Sequence, residues 1–303
     1  MKFPFDFSVK LVFRLVLPGI ILAAAMVPTV HAALRGLGFP DKLQYAFPLE
    51  VIAWGWAIII SDMPIYMLYE GRRYWPSGVR RLFIWFQVRR LKKLKHAVFH
   101  EPVGSRAYLE ASVEYGNYPI KDSSKQKHEG ESYVQYPTRL GNILAAYENY
   151  PQVKYGLDSV FYWYRLWVVL DKDLREEIDN AQSVVDSTVY VSFAFYLSGL
   201  IILVYAGIGA LQQTSWQAAM YVSLIHLPYV PSARVLSLMG FACIVLAFAI
   251  YRLSLPAHAQ FGELFKSIFD MHRSKLAFDD VIKIVSEITG NPLLFLEIAL
   301  REK

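Results

Sequence analysis

Residues 47–69 read FPLEVIAWGWAIIISDMPIYMLY, and this apolar stretch decides the fold that we predict for the chain. At about 1.5 Å per residue, a helix of this length can cross the roughly 30 Å hydrocarbon core of a bilayer. Residues 71–100, which we call the basic arm, follow almost directly and hold nine Arg or Lys residues but no Asp or Glu. An excess of basic residues beside a span marks its cytoplasmic side. We therefore predict a transmembrane helix whose cytoplasmic end lies near residue 70.

The composition of the whole chain is typical of a membrane protein. Of its 303 residues 55% are hydrophobic, and the mean hydropathy of +0.29 exceeds what a soluble core requires. The net charge of +5 comes largely from the basic arm, which predicts membrane lipids with anionic headgroups as partners. No nucleic-acid-binding module is recognisable, so we predict no nucleic-acid partner. The only cysteine, Cys243, lies in an apolar run, which excludes an intrachain disulfide and a cysteine metal cluster.

Three more apolar runs bring the number of predicted membrane spans to four. They cover residues 11–34, 188–211 and 235–255. Basic residues on the inner flanks place both termini in the cytoplasm, so the spans form two hairpins. The predicted fold class is all-α, an integral membrane protein with a helical cytoplasmic segment. Its predicted parts are a first hairpin at 1–70, the basic arm and a helical cytoplasmic segment at 71–187, a second hairpin at 188–256, and cytoplasmic C-terminal helices at 257–303.

The first apolar run has a second interpretation. A basic start, an apolar stretch and the small-residue ending Val30-His31-Ala32 also fit a cleavable secretory signal over residues 1–32. Either interpretation delivers the chain to the outer side before residue 47. The topology of the later spans is therefore the same in both.

The cytoplasmic segment predicts short helices joined by polar loops. Residues 121–132 contain no apolar side chain and predict an exposed loop. A stripe of apolar residues at helical spacing over 140–147 predicts an amphipathic helix that stops at Pro151. Residues 157–170 are apolar, but this run is too short to span a bilayer. From residue 171 the helical spacing continues without Pro or Gly into the third span, which predicts one long helix.

Prolines and helical spacing predict the structure of the remaining segments. Residues 212–234 contain two prolines and one charged residue, and we predict an external connection there. Pro256 predicts the end of the fourth span. Helical spacing resumes in the tail at 261–269 and again at 281–288.

Two blocks of sequence carry a resemblance. The first reads YPTRLGNILAAYENYPQVKYGLDSVFYWYR at 136–165, and the second reads GELFKSIFDMHR at 262–273. They resemble a family of uncharacterised bacterial membrane proteins with four spans, which implies a bacterial inner membrane location and no particular activity. In layout alone, two hairpins split by a helical cytoplasmic segment are similar to bestrophin-type anion channels, which are oligomers. No motif of that family is present, so this similarity is one of topology.

Familiar catalytic motifs do not occur in the sequence. It contains no G-x-x-x-x-G-K-[ST] loop, no G-x-S-x-G elbow and no H-E-x-x-H zinc motif. We therefore predict no catalytic residues and no cofactor, and a role other than catalysis. His96 and His100, spaced one helical turn apart and followed by Glu101, are too few ligands to predict a metal site, and they fit interfacial histidines instead.

Asp62 and Glu50 are acids within the second span, and we predict that they form a pore or ion site. A carboxylate facing lipid at the depth of Asp62 costs at least about 2.5–3.5 kcal/mol. Pro64 cannot donate a hydrogen bond to the carbonyl of Ile60, so we expect the helix to loosen beside Asp62 and leave an acceptor there. A free carbonyl and a carboxylate together suit a cation or a proton. In the alternative interpretation, Asp62 bonds hydroxyls on other helices and only fixes their packing.

Two further groups of polar residues are candidate binding sites. The predicted headgroup-binding residues of the basic arm are Arg89, Arg90, Lys92 and Lys93. The alternative is a solvated helix whose long side chains snorkel. The predicted cytoplasmic pocket or assembly surface consists of Arg139, Asn142, Glu148, Asp158 and Arg165. The alternative is that these five serve as caps, turn residues and ion pairs between short helices.

These observations favour three hypotheses for the function. In the leading one, the chain is an oligomeric membrane protein that forms an ion or small-solute channel, with the cytoplasmic segment as its assembly and gating part. In the second, it is a non-conducting anchor or scaffold that recruits cytoplasmic partners. In the third, it is a membrane enzyme of unrecognised chemistry.

Overall fold

A computed structural model describes residues 11–39, 42–121, 131–211 and 232–273. Within these ranges the protein is all-α, and its strand-like pairing is limited to an isolated antiparallel bridge between Ile120 and Ser132. A π-helical turn at Val12–Val16 precedes nine α-helices in the described ranges. These are α1 (Leu17–Gly36), α2 (Leu43–Ile60), α3 (Asp62–Glu70), α4 (Ser77–His100), α5 (Arg106–Tyr115), α6 (Arg139–Tyr155), α7 (Ser159–Val169), α8 (Lys172–Leu211) and α9 (Ala233–His272).

The prediction of an all-α membrane protein with four transmembrane helices is confirmed. Four helices in the described part of the chain are long and apolar enough to cross a membrane, at Val12–Leu34, Leu43–Ile60, Lys172–Ile208 and Ala233–His272. The predicted long helix into the third span is observed as α8. Some predictions lie outside the described residues: the basic flank within 1–10, most of the loop 121–132 and of the connection 212–234, and the tail helix at 281–288.

The second apolar stretch is interrupted at Ser61, next to Asp62. Helix α2 ends at Ile60 and α3 begins at Asp62, while Ser61 between them has φ −89° and ψ 15°. Pro64 lies in the first turn of α3, where its missing N–H removes a bond that a continuous helix would need. The predicted loosening of the helix beside Asp62 is therefore observed.

Pro151, which we expected to end a helix, lies inside one, and so does Pro256, which follows the fourth predicted span. Pro256 lies within α9, which continues to His272, and Pro151 lies within α6, which continues to Tyr155. A proline removes one main-chain hydrogen bond, but the burial of the residues around it can outweigh that loss. Pro151 itself is buried. Helix α6 ends instead before Gly156, whose φ of +70° is the left-handed conformation that terminates helices.

The chain divides into two compact units. The membrane unit comprises Met1–Arg90, Tyr136–Asn142 and Asp179–Phe261, and the helical unit comprises Leu91–Gln135, Ile143–Ile178 and Gly262–Lys303. The membrane unit thus includes parts of the segment that we predicted as cytoplasmic, from residue 71 to 90, from 136 to 142 and from 179 to 187.

Glycines allow close helix contacts within the membrane unit. A β-carbon on Gly55 in α2 would lie 2.5 Å from the carbonyl oxygen of Leu15, and one on Gly199 in α8 would lie 2.8 Å from the carbonyl oxygen of Gly240 in α9. Small residues at such crossings let helix backbones approach closely in membranes. Each hairpin is therefore held at a backbone-to-backbone contact.

Aromatic side chains form the core of the helical unit. The ring centroids of Tyr147 and Phe265 lie 5.1 Å apart, and those of Trp163 and Phe265 lie 4.6 Å apart in a stacked arrangement. Phe269 is completely buried beside them. A β-carbon on Gly262 would lie 2.7 Å from the Tyr147 ring, so this glycine makes room for the ring.

Candidate functional site

Six polar side chains meet inside the membrane unit, and we call them the polar cluster. They come from the π-helical turn, α3, α8 and α9, and they are Arg14, Asp62, Tyr66, Asp186, Tyr190 and His258. Three of the four apolar helices contribute residues, and α3, which directly follows the second one, contributes Asp62 and Tyr66.

Two Asp–Tyr pairs with the same spacing form crossed hydrogen bonds. Asp62 and Tyr66 lie about one turn apart in α3, and Asp186 and Tyr190 lie about one turn apart in α8. Tyr66 donates to Asp186 Oδ1 at 2.7 Å, and Tyr190 donates to Asp62 Oδ1 at 2.7 Å. Each helix thus gives the other one donor and one acceptor, which holds the two helices in a single register.

Arg14 supplies positive charge to the polar cluster. Its Nη2 lies 2.6 Å from Asp186 Oδ2, and its guanidinium also interacts with Tyr190. The side chain of Asp186 is 6% exposed and that of Arg14 is 32% exposed. One carboxylate oxygen of Asp186 therefore accepts from Tyr66 and the other from Arg14. Burial of a carboxylate is tolerated when the charge is paired and hydrogen-bonded in this way.

His258 is the contribution of α9, and it is 1% exposed. Its Nδ1 donates to the carbonyl oxygen of Ser254 at 2.8 Å, because a carbonyl can only accept. Its Nε2 lies 3.4 Å from the hydroxyl of Tyr66. Since Tyr66 donates its one hydrogen to Asp186, a neutral His258 directs a lone pair at this hydroxyl. A proton on Nε2 would complete a chain of hydrogen bonds from His258 through Tyr66 to Asp186.

The polar cluster contains two carboxylates but one guanidinium. With both carboxylates ionised and His258 neutral, two negative charges face one guanidinium. An uncompensated charge is costly in surroundings of low dielectric constant, and the binding of a proton or a cation removes it. The arrangement is therefore suited to taking up and releasing one positive charge.

Glu50, the second predicted acid of the pore, lies apart from the polar cluster. It precedes Asp62 by twelve residues, which corresponds to roughly 18 Å along a helix. Both its carboxylate oxygens are enclosed, and neither has a hydrogen-bond partner among the residues that the structure describes. The structure thus brings Asp62, but not Glu50, together with other charged side chains.

The four predicted headgroup-binding residues lie on α4 in different surroundings. The guanidinium of Arg89 lies 3.4 Å from the centroid of the Trp85 ring, a cation–π contact. Arg90 lines a cavity of the membrane unit. Lys92 and Lys93 are exposed.

Asn142, from the predicted cytoplasmic pocket, bonds to the main chain of the turn before α6. It is 1% exposed, and its Nδ2 donates to the carbonyl oxygens of Tyr136 and Thr138 at 2.8 and 2.7 Å. Its Oδ1 accepts from the N–H of Tyr136 at 3.1 Å. Asn142 therefore fixes the turn that leads into α6.

The other four residues of that predicted pocket do not meet at one site. Asp158 caps α7 by accepting from the N–H of Phe161 at 3.0 Å, and Arg165 donates to the carbonyl of Phe161 at 2.7 Å. Arg139 lines the same cavity as Arg90, and Glu148 is half-buried in α6. Asp158 and Arg165 thus satisfy the main chain of α7.

The two histidines of the basic arm pack against each other. The rings of His96 and His100 are stacked with centroids 4.2 Å apart, and His100 Nδ1 lies 3.0 Å from the carbonyl oxygen of His96. Across the described part of the chain, no group of three or more His, Cys, Asp or Glu side chains is arranged to hold a metal ion.

Sequence reasoning found one residue of the polar cluster, Asp62, and missed the other five. One signal was present, because the same D-x-x-x-Y spacing occurs in DMPIY at 62–66 and in DSTVY at 186–190. Arg14 lies near the start of the first predicted span and Asp186 just before the third, where charged residues are common. Comparisons with family models, with curated proteins and with solved structures gave no match for this chain.

Proposed function

We propose that this chain forms a homo-oligomeric channel for protons or small cations, with the polar cluster in the conducting path. The observation that carries the proposal is the crossed Asp–Tyr arrangement, which holds two carboxylates against one guanidinium inside the membrane unit. Ionisable residues within membrane spans generally mark ion pathways and proton relays.

The charge of the polar cluster favours a cation or a proton over an anion. Cation channels use rings of acidic side chains, and a homo-oligomer would repeat Asp62 and Asp186 around its axis. The bestrophin-like layout suggests an anion, but it is a similarity of topology alone. We give the local charges more weight because selectivity is set where the ion binds.

In this proposal the polar cluster lies at the cytoplasmic end of the bundle. Asp62 begins the short helix α3, which is followed by the basic arm, whose charge favours the cytoplasmic side. Both termini then lie in the cytoplasm, and the helical unit serves in assembly and gating. The proposed location is the bacterial inner membrane.

The substitution Asp62→Asn tests whether the polar cluster takes part in conduction or has only a structural role. The change keeps the size of the side chain and an acceptor for Tyr190, but it removes one negative charge. We expect proton or cation flux through the purified full-length protein in liposomes to fall several-fold while the oligomer elutes unchanged. The flux is measured with a dye sensitive to pH or to the cation, under an imposed membrane potential.

Asp270→Asn is the matched control, since Asp270 also accepts from tyrosine hydroxyls but lies in the helical unit. It should leave the flux unchanged. Wild-type flux no higher than that of empty liposomes would contradict the channel, and equal flux in Asp62→Asn would exclude Asp62 from the path. Loss of the oligomer in Asp62→Asn would favour a packing role.

A scaffold is the second candidate function, and exposed aromatic residues of α4 favour it. Trp85 is 44% exposed and Phe86 is 51% exposed on the basic arm. Such a surface suits contacts with a partner or a membrane. Absence of flux, together with specific capture of one cytoplasmic protein by wild type but not by Trp85→Ala, would support this function.

A further inference from the structure

We propose that the membrane unit contains a binding site for an anionic phospholipid. A cavity of about 760 Å³ lies among α3, α4, the turn at 137–139, α8 and α9. This volume falls within the range of roughly 300–1,000 Å³ that is usual for small-molecule sites. No residue of the polar cluster lines the cavity, so the inference does not depend on the proposed function.

Two groups of aromatic rings form the cavity wall. Trp75 and Phe83 pack edge to face, with ring centroids 5.1 Å apart. The Tyr251 ring lies 5.8 Å from that of Tyr69 and 6.3 Å from that of Phe248. Phe248 is 60% exposed, so the cavity has a large accessible apolar surface. Apolar walls of this kind suit an acyl chain.

Polar atoms in the wall bond to the protein itself. The Tyr69 hydroxyl lies 2.9 Å from the hydroxyl of Ser192, which donates to the carbonyl oxygen of Ala247 at 2.8 Å. Trp75 Nε1 donates to the carbonyl of Leu68 at 2.8 Å. These groups have their hydrogen-bonding capacity in use, so the wall presents mainly apolar surface to a ligand.

Arginine side chains supply the charge of the cavity. The lining includes Arg90 from α4, Arg139 from the start of α6 and Arg252 from α9, whereas its described residues include no Asp or Glu. Three guanidinium groups beside an apolar wall match a ligand that joins a phosphate to a hydrocarbon chain. An anionic phospholipid has this chemistry, and the surrounding membrane supplies it. Free phosphate would bind the arginines but make no contact with the aromatic wall.

Native mass spectrometry of the purified full-length protein tests the site. The protein is titrated with phosphatidylglycerol or with phosphatidylcholine of the same acyl chains, and bound lipid is counted per chain. We expect phosphatidylglycerol to bind more tightly. The double variant Arg90→Gln, Arg252→Gln should lose about tenfold in affinity for it, which corresponds to about 1.4 kcal/mol.

Arg81→Gln is the matched control, because Arg81 is an exposed arginine of the same helix α4 that does not line the cavity. It should keep the preference for phosphatidylglycerol. Phe86→Ala with Phe248→Ala should weaken binding of both lipids, because both residues line the cavity and both are exposed enough to be replaced without unfolding. Retention of the lipid preference in the control variant and weaker binding of both lipids in the double phenylalanine variant would each support a site with an apolar wall and arginine side chains.

Four outcomes would overturn the proposal. Equal affinity of wild type for the two lipids would remove the role of the arginines, as would equal losses in Arg81→Gln and in the double variant. Displacement of phosphatidylglycerol by millimolar inorganic phosphate would show that the phosphate group alone is recognised. An oligomer that binds no lipid at any concentration would contradict the site.

Discussion

The two units each contain an aspartate that binds a basic side chain and tyrosine hydroxyls, but the two sites differ in burial. In the membrane unit, Asp186 accepts from Tyr66 and pairs with Arg14 at 2.6 Å. In the helical unit, Asp270 accepts from Tyr150 and pairs with Lys154 at 3.2 Å. The Asp186 side chain is 6% exposed, and that of Asp270 is 36% exposed.

Because the two sites have similar partners, we expect burial to set the energy of these clusters. Water screens the exposed pair, and isolated surface ion pairs contribute little to stability. A buried carboxylate that loses its partner is left without compensation from water, at a cost of about 3–5 kcal/mol. The Asp186 site is therefore expected to be sensitive to substitution, and the Asp270 site tolerant. Three predictions address this contrast.

The largest expected effect is that of Arg14→Gln. It leaves Asp186 buried with a hydroxyl partner but without its opposite charge, so we expect a loss of about 3 kcal/mol in the free energy of unfolding. Thermal unfolding of the detergent-purified protein, followed by tryptophan fluorescence, measures the change. Arg14→Lys keeps the charge and should restore most of the stability. An unfolding midpoint of Arg14→Gln equal to that of wild type would show that the buried pair contributes nothing.

Tyr66→Phe should have an intermediate effect. It removes the hydroxyl that donates to Asp186 and leaves one buried carboxylate oxygen without that donor, which costs about 1.5–3 kcal/mol for a hydrogen bond to a charged group. The same measurement applies, with Tyr150→Phe as the matched control at the exposed site. Equal destabilisation by the two substitutions would contradict the role that we assign to burial.

The smallest effect is expected for Lys154→Gln, which should not change stability measurably at pH 7. Hydrogen bonds with the hydroxyls of Tyr150 and Tyr155 raise the pKa of Lys154 above its ordinary 10.5. A raised pKa means that the folded state holds the proton more tightly. Any stabilisation from the pair is therefore complete below pH 10.5 and is lost as the pH rises through the raised pKa.

Denaturant unfolding of wild type and Lys154→Gln, from pH 7 to above pH 11 and at two salt concentrations, tests this. Any difference between the two proteins should shrink with added salt and at high pH. A large difference at pH 7 that salt does not change would show that Lys154 behaves like the buried Arg14.

Local patterns predicted several elements well, and they failed where packing outweighed them. Pro64 lies beside a real interruption at Ser61, whereas Pro151 and Pro256 lie inside continuous helices. All three lack the same N–H group, so the sequence at the proline does not decide the outcome. Close contacts of the surrounding helix with its neighbours decide whether the lost bond is tolerated.

The sequence by itself determined which segments are long and apolar enough to cross a membrane, and that an acid at position 62 needs a partner. Length, hydropathy and charge excess are properties of adjacent residues, which is why they can be read locally. Only the tertiary structure decided that this partner is Tyr190, 128 positions away, and that Arg14 meets Asp186 across 172 positions. Helical periodicity gives the face on which a side chain lies, but not which helix packs against that face.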